Sequence, residues 1–158
     1  MSFAARGSLL FEPAEIRGLR LQNRIVLPAM VTRLSGADGL VNQAIRDRYL
    51  RHARGEPGLM VLEAMGVNES KSGPLLRAGH DRFVPGLRDL VRRIHDLSPT
   101  RVAAQIIHFL KISRSGWRQR IQDLDHSGVG EVVEAYGGAA GRIREAGFDA
   151  VELHMAHA

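Results

Sequence analysis

Four short apolar segments alternate with amphipathic helical stretches, and no glycine-rich phosphate loop follows the first of them. These two observations predict a parallel-sheet α/β fold of the (β/α)8 barrel type rather than a doubly wound sheet. A third sets the extent: such a barrel typically needs about 250 residues, and 158 residues with four strands amount to half of one. The predicted fold class is therefore the N-terminal half of a (β/α)8 (TIM) barrel, led by a short hairpin, with residues 1–9 as a tail and residues 10–158 as the barrel part.

The elements follow in order. In residues 15–22, EIRGLRLQ, apolar Ile16, Leu19 and Leu21 flank Gly18, which permits a tight hairpin turn. Residues 25–27 read as a strand stopped by Pro28. Ile45, Tyr49 and Ala53 recur at intervals of four, the helical spacing, and GEPG at 55–58 ends that helix. A second strand is expected at 59–62 and a long loop at 68–82. Leu87, Leu90, Val91, Ile94 and Leu97 form one apolar stripe, predicting a helix over 84–97 closed by Ser98-Pro99. The third strand is 102–107. Val129, Val132, Val133, Tyr136, Ala140 and Ile143 fall at helical spacings, read as core, with Gly147 as C-terminal cap before a fourth strand at 149–154.

Composition excludes several classes. Hydrophobic residues at 44% and charged residues at 25% are ordinary globular values. No apolar run approaches the roughly 20 residues of a membrane span, and the N-terminus lacks the charged start and apolar stretch of a secretory signal. The absence of cysteine removes disulfides, thiolate metal sites and a cysteine nucleophile, and fits a reducing cytoplasm. The net charge of +5 favours anionic partners, from nucleic acid to phosphorylated cofactors.

In barrels of this type ligands meet the C-terminal ends of the strands. Those ends carry residues 28–32, Glu63 and Ala64, Gln105 to His108, and His154 to His157. Small or backbone-permissive surfaces beside amide and imidazole groups suit a flat, hydrogen-bonding, largely apolar ligand. Strand parity turns Ala150, Glu152 and His154 inward and Val151 and Leu153 toward the helices, so His154 and His157 converge only if the chain turns after His154. An inward Glu152 needs a partner, for which Arg24 or Arg101 is the expectation. His108 is either a substrate-pocket residue or a solvated loop histidine. A His-x-x-His pair alone is a poor metal site, since zinc takes three or four ligands, and none is expected here.

LFEP, EIRGLRLQNRIVLPAM, HARGEPGLMVLEA, VAAQIIH and AGFDAVELHMAH, in that order from about Leu10 onward, resemble the Old Yellow Enzyme family of FMN-dependent NAD(P)H oxidoreductases (ene-reductases). The resemblance implies that Pro28, Ala29, Met30 and Thr32 line FMN, that Ala64 offers it a backbone group, and that Gln105 bonds its pyrimidine edge. It also implies that His154 and His157 grip the carbonyl oxygen of a small-molecule substrate, an activated alkene, to which hydride passes from NADH or NADPH through the flavin. There are two departures. Val31 stands where many relatives carry a polar residue, with Thr32 next, and the tyrosine that serves as proton donor falls one position beyond Ala158. The expectation is thus a chain ending inside an active site. Alone it should neither hold FMN tightly nor turn over, and it should self-associate as a homo-oligomer through open sheet edges.

Two rival readings stand beside this one. The stretch KISRSGWRQR at 111–120 has the charge and the single tryptophan of a nucleic-acid contact, although its place after the third strand suits a loop over the active site. A half barrel could also be an inactive structural or interaction subunit.

Overall fold

The computed structural model describes residues 7–68, 73–109 and 120–156. A hairpin of β1 (Ala14–Ile16) and β2 (Leu19–Leu21) comes first, and its turn places Arg17 and Gly18 at positive φ. The second sheet is wholly parallel. It contains β3 (Val26–Leu27), β4 (Leu59–Gly66), β5 (Arg101–Ile107) and β6 (Ala150–His154), hydrogen-bonded in chain order. Helices α1 (Gln43–Ala53), α2 (Val84–Leu97) and α3 (His126–Glu145) fill the crossovers. Strand order equal to chain order, with a helix in every crossover, is the topology of a barrel rather than of a doubly wound sheet.

Local chemistry sets the helix ends. Asn42 and Asp125 cap α1 and α3 by accepting from Ile45 N and Gly128 N. Pro85 lies in the first turn of α2, where its missing N–H costs nothing. Gly147, at φ 90°, releases the chain from α3 into β6. The core lies between the helices and the outer sheet face, where Met60, Leu62, Val102, Ala104 and Ile106 meet Ile45, Leu87, Leu90, Val91 and Ile94.

At the N-terminal end of the sheet, Arg101 donates to the Arg20 carbonyl (3.3 Å) and to Asp149 Oδ1 (3.0 Å). Asn23 Oδ1 accepts from Gly58 N at 2.7 Å, an approach so close that a Cβ on Gly58 would fall 2.1 Å from the Asn23 carbonyl oxygen. The hairpin is thereby fixed to the face opposite the strand C-termini.

Two expectations are corrected. Strand β4 continues to Gly66, four residues past the predicted end, because β5 keeps pairing with it as far as Gly66–Ile107 and residues 76–78 also return beside it: Gly66 N donates to Leu76 O and Ala78 N to Gly66 O, both at 2.9 Å. The stripe predicted as the core face of α3 is buried only in part. Ala139 and Ile143 are fully covered, whereas Val129 and Val133 are exposed. Twenty helical residues reach about 30 Å, while the seven of β5 reach about 23 Å, so the first turns of α3 overhang the sheet.

Candidate active site

All four parallel strands end on one face. Strand β3 pairs with β4 only over Val26–Leu59 and Leu27–Met60, after which Pro28, Ala29 and Met30 leave the sheet, with Pro28 and Met30 exposed. Between β4 and β5 the register jumps from Leu62–Ala104 to Met65–Ile106, so three steps of β4 oppose two of β5. Glu63 and Ala64 occupy this bulge, which interrupts the ladder at the mouth.

Register pairs Gln105 with Glu152 and Ile107 with His154, so these side chains share the inward face. Gln105 Nε2 donates to Glu152 Oε2 at 2.8 Å. The inward carboxylate therefore has an amide partner and not the expected arginine. Arg101 starts β5, about 13 Å along the strand from Gln105, and it binds Asp149 at the far end. His154 is half-buried at the tip of β6, and its carbonyl accepts from the Tyr136 hydroxyl (3.1 Å), which itself accepts from His108 N (3.0 Å). One phenol on α3 thus ties the ends of β5 and β6 together. His157, and with it any turn that joins it to His154, lies outside the described residues, as do residues 111–119 of the basic stretch. Arg120, at its end, is paired with Asp123 at 3.1 Å.

The sequence reading passed over one network. Thr32 Oγ1 donates to Glu63 Oε2 at 2.6 Å, and Tyr49 OH donates to the same oxygen at 3.1 Å. Glu63 N donates back to Tyr49 OH at 2.8 Å. Glu63 is 0% exposed, and its Oε1 has no hydrogen-bond partner among the described residues. Burial, then the neighbouring Glu63, push the Tyr49 phenol well above its ordinary range. Two signals could have found it: a lone carboxylate inside the run LMVLEAMG, and a tyrosine on an otherwise apolar helix stripe, whose hydroxyl needs a partner once buried. Thr32, read as a ring contact, has its hydroxyl turned into this network.

Comparison with known proteins follows from this geometry. Residues 9–114 match the NADH:flavin oxidoreductase / NADH oxidase family. The chain belongs to that family. It is 30% identical to an NADH oxidase of Thermoanaerobacter brockii over 94% of its own length and 26% of the relative's. It is also 30% identical to an NADPH dehydrogenase of Geobacillus sp. (strain WCH70), over 95% of its length and 48% of the relative's. The chain thus spans about a quarter of the one and about half of the other. Old Yellow Enzyme from Pichia sp. AKU4542 superposes with a TM-score of 0.83 at 20% identity, covering 96% of this chain and 47% of that one. Morphinone reductase in complex with tetrahydroNAD gives 0.80 at 21%, covering 94% and 50%. These solved structures establish the fold: the four parallel strands and three crossover helices of this NADH:flavin oxidoreductase family member form a partial TIM barrel.

Proposed function

We propose that the chain supplies the ring-facing part of the site of an FMN-dependent oxidoreductase, which takes hydride from NADH or NADPH and passes it to an activated alkene or a related small molecule. One observation carries the reading. Parallel register sets Gln105 and His154 on the same inward face, with the Gln105 amide fixed by Glu152.

The residues present fit a flavin ring. With its Nε2 committed to Glu152, Gln105 offers its amide oxygen, which suits the N–H of a pyrimidine edge. Ala29 and Met30 offer accessible apolar surface, and the bulge at Ala64 interrupts the backbone ladder where a ring oxygen could be bound. Bound FMN would supply a two-electron carrier between nicotinamide and acceptor. His154, with His157, would donate to the acceptor's carbonyl oxygen as that atom gains negative charge, which makes the distant alkene carbon more electrophilic. The family match over residues 9–114 supports the flavin reading for the stretch that holds Ala29, Met30, Ala64 and Gln105.

Titrating FMN with the chain and following quenching of the flavin fluorescence tests this. Binding should be weak, because the phosphate site of such barrels is usually built after strands 7 and 8, and the sheet described here has four strands. Gln105→Leu should weaken binding about tenfold, the usual cost of one well-placed hydrogen bond. His154→Ala should affect FMN less than it affects a carbonyl-bearing ligand added to the flavin-loaded chain. No quenching by roughly 1 mM chain, where even a binding energy of about 4 kcal/mol would register, overturns the reading.

A further inference from the structure

The geometry points to Glu63 as a positioning residue that clamps the ring-lining segment 28–34 against the barrel mouth, acting through Thr32 and braced by Tyr49. The inference rests on the flavin reading for the identity of the ligand, and on the network alone for the clamp.

A fully buried carboxylate is costly in a strand whose neighbours are apolar, and apolar replacements of buried ionic groups are often neutral or stabilising. Core filling therefore does not explain Glu63. Its contacts do, because they join three elements at this end of the sheet, adding to a tie between the segment and the N-cap of α1, Asn42 Nδ2 donating to the Leu34 carbonyl at 2.6 Å. Thr32 comes from the segment after β3, Tyr49 from α1, and Glu63 from the bulge of β4. Strand β3 holds β4 over only two residue pairs, so the chain beyond Leu27 has no ladder to fix it. Thr32 makes up for this in two directions, donating to Glu63 and accepting from Leu34 N at 3.2 Å. The return bond from Glu63 N to Tyr49 OH locks the bulge to the helix.

The clamp also defines what the segment presents to a ligand. With its proton committed to Glu63, the Thr32 hydroxyl has no donor left for a ring acceptor. Pro28, Met30 and Val31 are exposed, so the lining strip is apolar side chain and backbone. Thr32 and Glu63 contribute by placing that strip, whose polar contacts to a ring are those of its backbone.

Trypsin cleavage after Arg33, an exposed residue beside the clamp, provides a readout that needs no flavin. In the full chain, Thr32→Val should speed that cut about tenfold, as expected when a hydrogen bond to a charged group is lost from a locally opening segment. Glu63→Leu should match or exceed it. Glu63→Gln should stay within about twofold of wild type, because its amide oxygen still accepts from both hydroxyls. Cuts on α2, such as after Arg92, should not change. A wild-type rate after Arg33 in Thr32→Val, or all sites accelerating together, overturns the clamp. In the FMN titration Thr32→Val should bind several-fold more weakly than wild type, and equal affinity with faster cleavage would sever the clamp from the ring. If wild type itself fails to quench FMN, the functional reading falls, while the Arg33 cut still decides the clamp.

Discussion

The α2 and α3 regions are built on opposite terms. In α2, five residues of fourteen (Val84, Leu87, Leu90, Val91 and Ile94) are buried, against the two fully covered central strands β4 and β5. In α3, two residues of twenty are buried, and Gly128, Gly130, Gly137, Gly138 and Gly141 lie within the helix, where they offer no side chain to pack. Beside it β6 is an edge strand, with Val151 36% and Leu153 54% exposed on the face where α3 and a further neighbour should meet. Amphipathic pattern therefore predicts burial only where the fold places something opposite. The α2 side is a finished core, whereas the α3–β6 side leaves apolar side chains such as Val133 and Leu153 uncovered by the described residues. An edge strand with an apolar outer face is a template for pairing with another chain.

The largest effect that sharpens this contrast is a cavity beneath α2. Leu90→Ala should cost about 2–5 kcal/mol in urea unfolding, whereas Leu153→Ala should stay within about 0.5 kcal/mol, the range of exposed positions. Equal losses would mean that β6 is covered in solution. Replacing Val151 and Leu153 together by glutamate should lower the self-association seen by sedimentation without lowering helix content, because both side chains sit on the uncovered face. Gly137→Ala is a smaller probe. A Cβ there meets nothing within 4 Å, so the change should stabilise the chain by about 0.4–1 kcal/mol. Destabilisation or weaker self-association would reveal a neighbour packed on that helix face.

The smallest effect is in acid. Asp81 is held below its ordinary value of 3.8 by the hydrogen bond from Arg142 and then by its charge, a 2.6 Å pair that ties the start of α2 to α3. A carboxylate whose folded value is depressed stabilises the fold above its unfolded value, and that contribution disappears as pH falls through the folded value. Asp81→Asn should therefore lower the melting temperature slightly at neutral pH, with the difference vanishing as pH falls through the depressed Asp81 value. A difference that persisted into stronger acid would assign the effect to something other than the ion pair.

What was legible in the sequence was whatever one segment carries by itself. The i, i+4 spacing of Ile45, Tyr49 and Ala53 marked α1, the stripe of α2 marked its buried face, and Gly18 and Gly147 marked their turns. Parity within the last strand placed Ala150, Glu152 and His154 on the inward face, and the structure sets Gln105 beside Glu152 there. The sequence resemblance and the NADH:flavin oxidoreductase family match agree because those strand-end motifs are local and occur in order.

Three things depended on the tertiary structure, and each requires knowing which segment lies beside which. Pairing with β5 as far as Ile107, together with the return of residues 76–78, lengthened β4, since a strand ends where its partner does and not where its apolar run stops. The exposure of Val129 and Val133 depended on the length of α3 against β5. The choice of Gln105 over Arg101 for Glu152, and of Thr32 and Tyr49 for Glu63, came from distances between residues 14 to 47 positions apart. A polar group's need for a partner can be read from its chemistry, but the partner's identity is fixed only when β-register and helix packing bring distant segments within 3 Å.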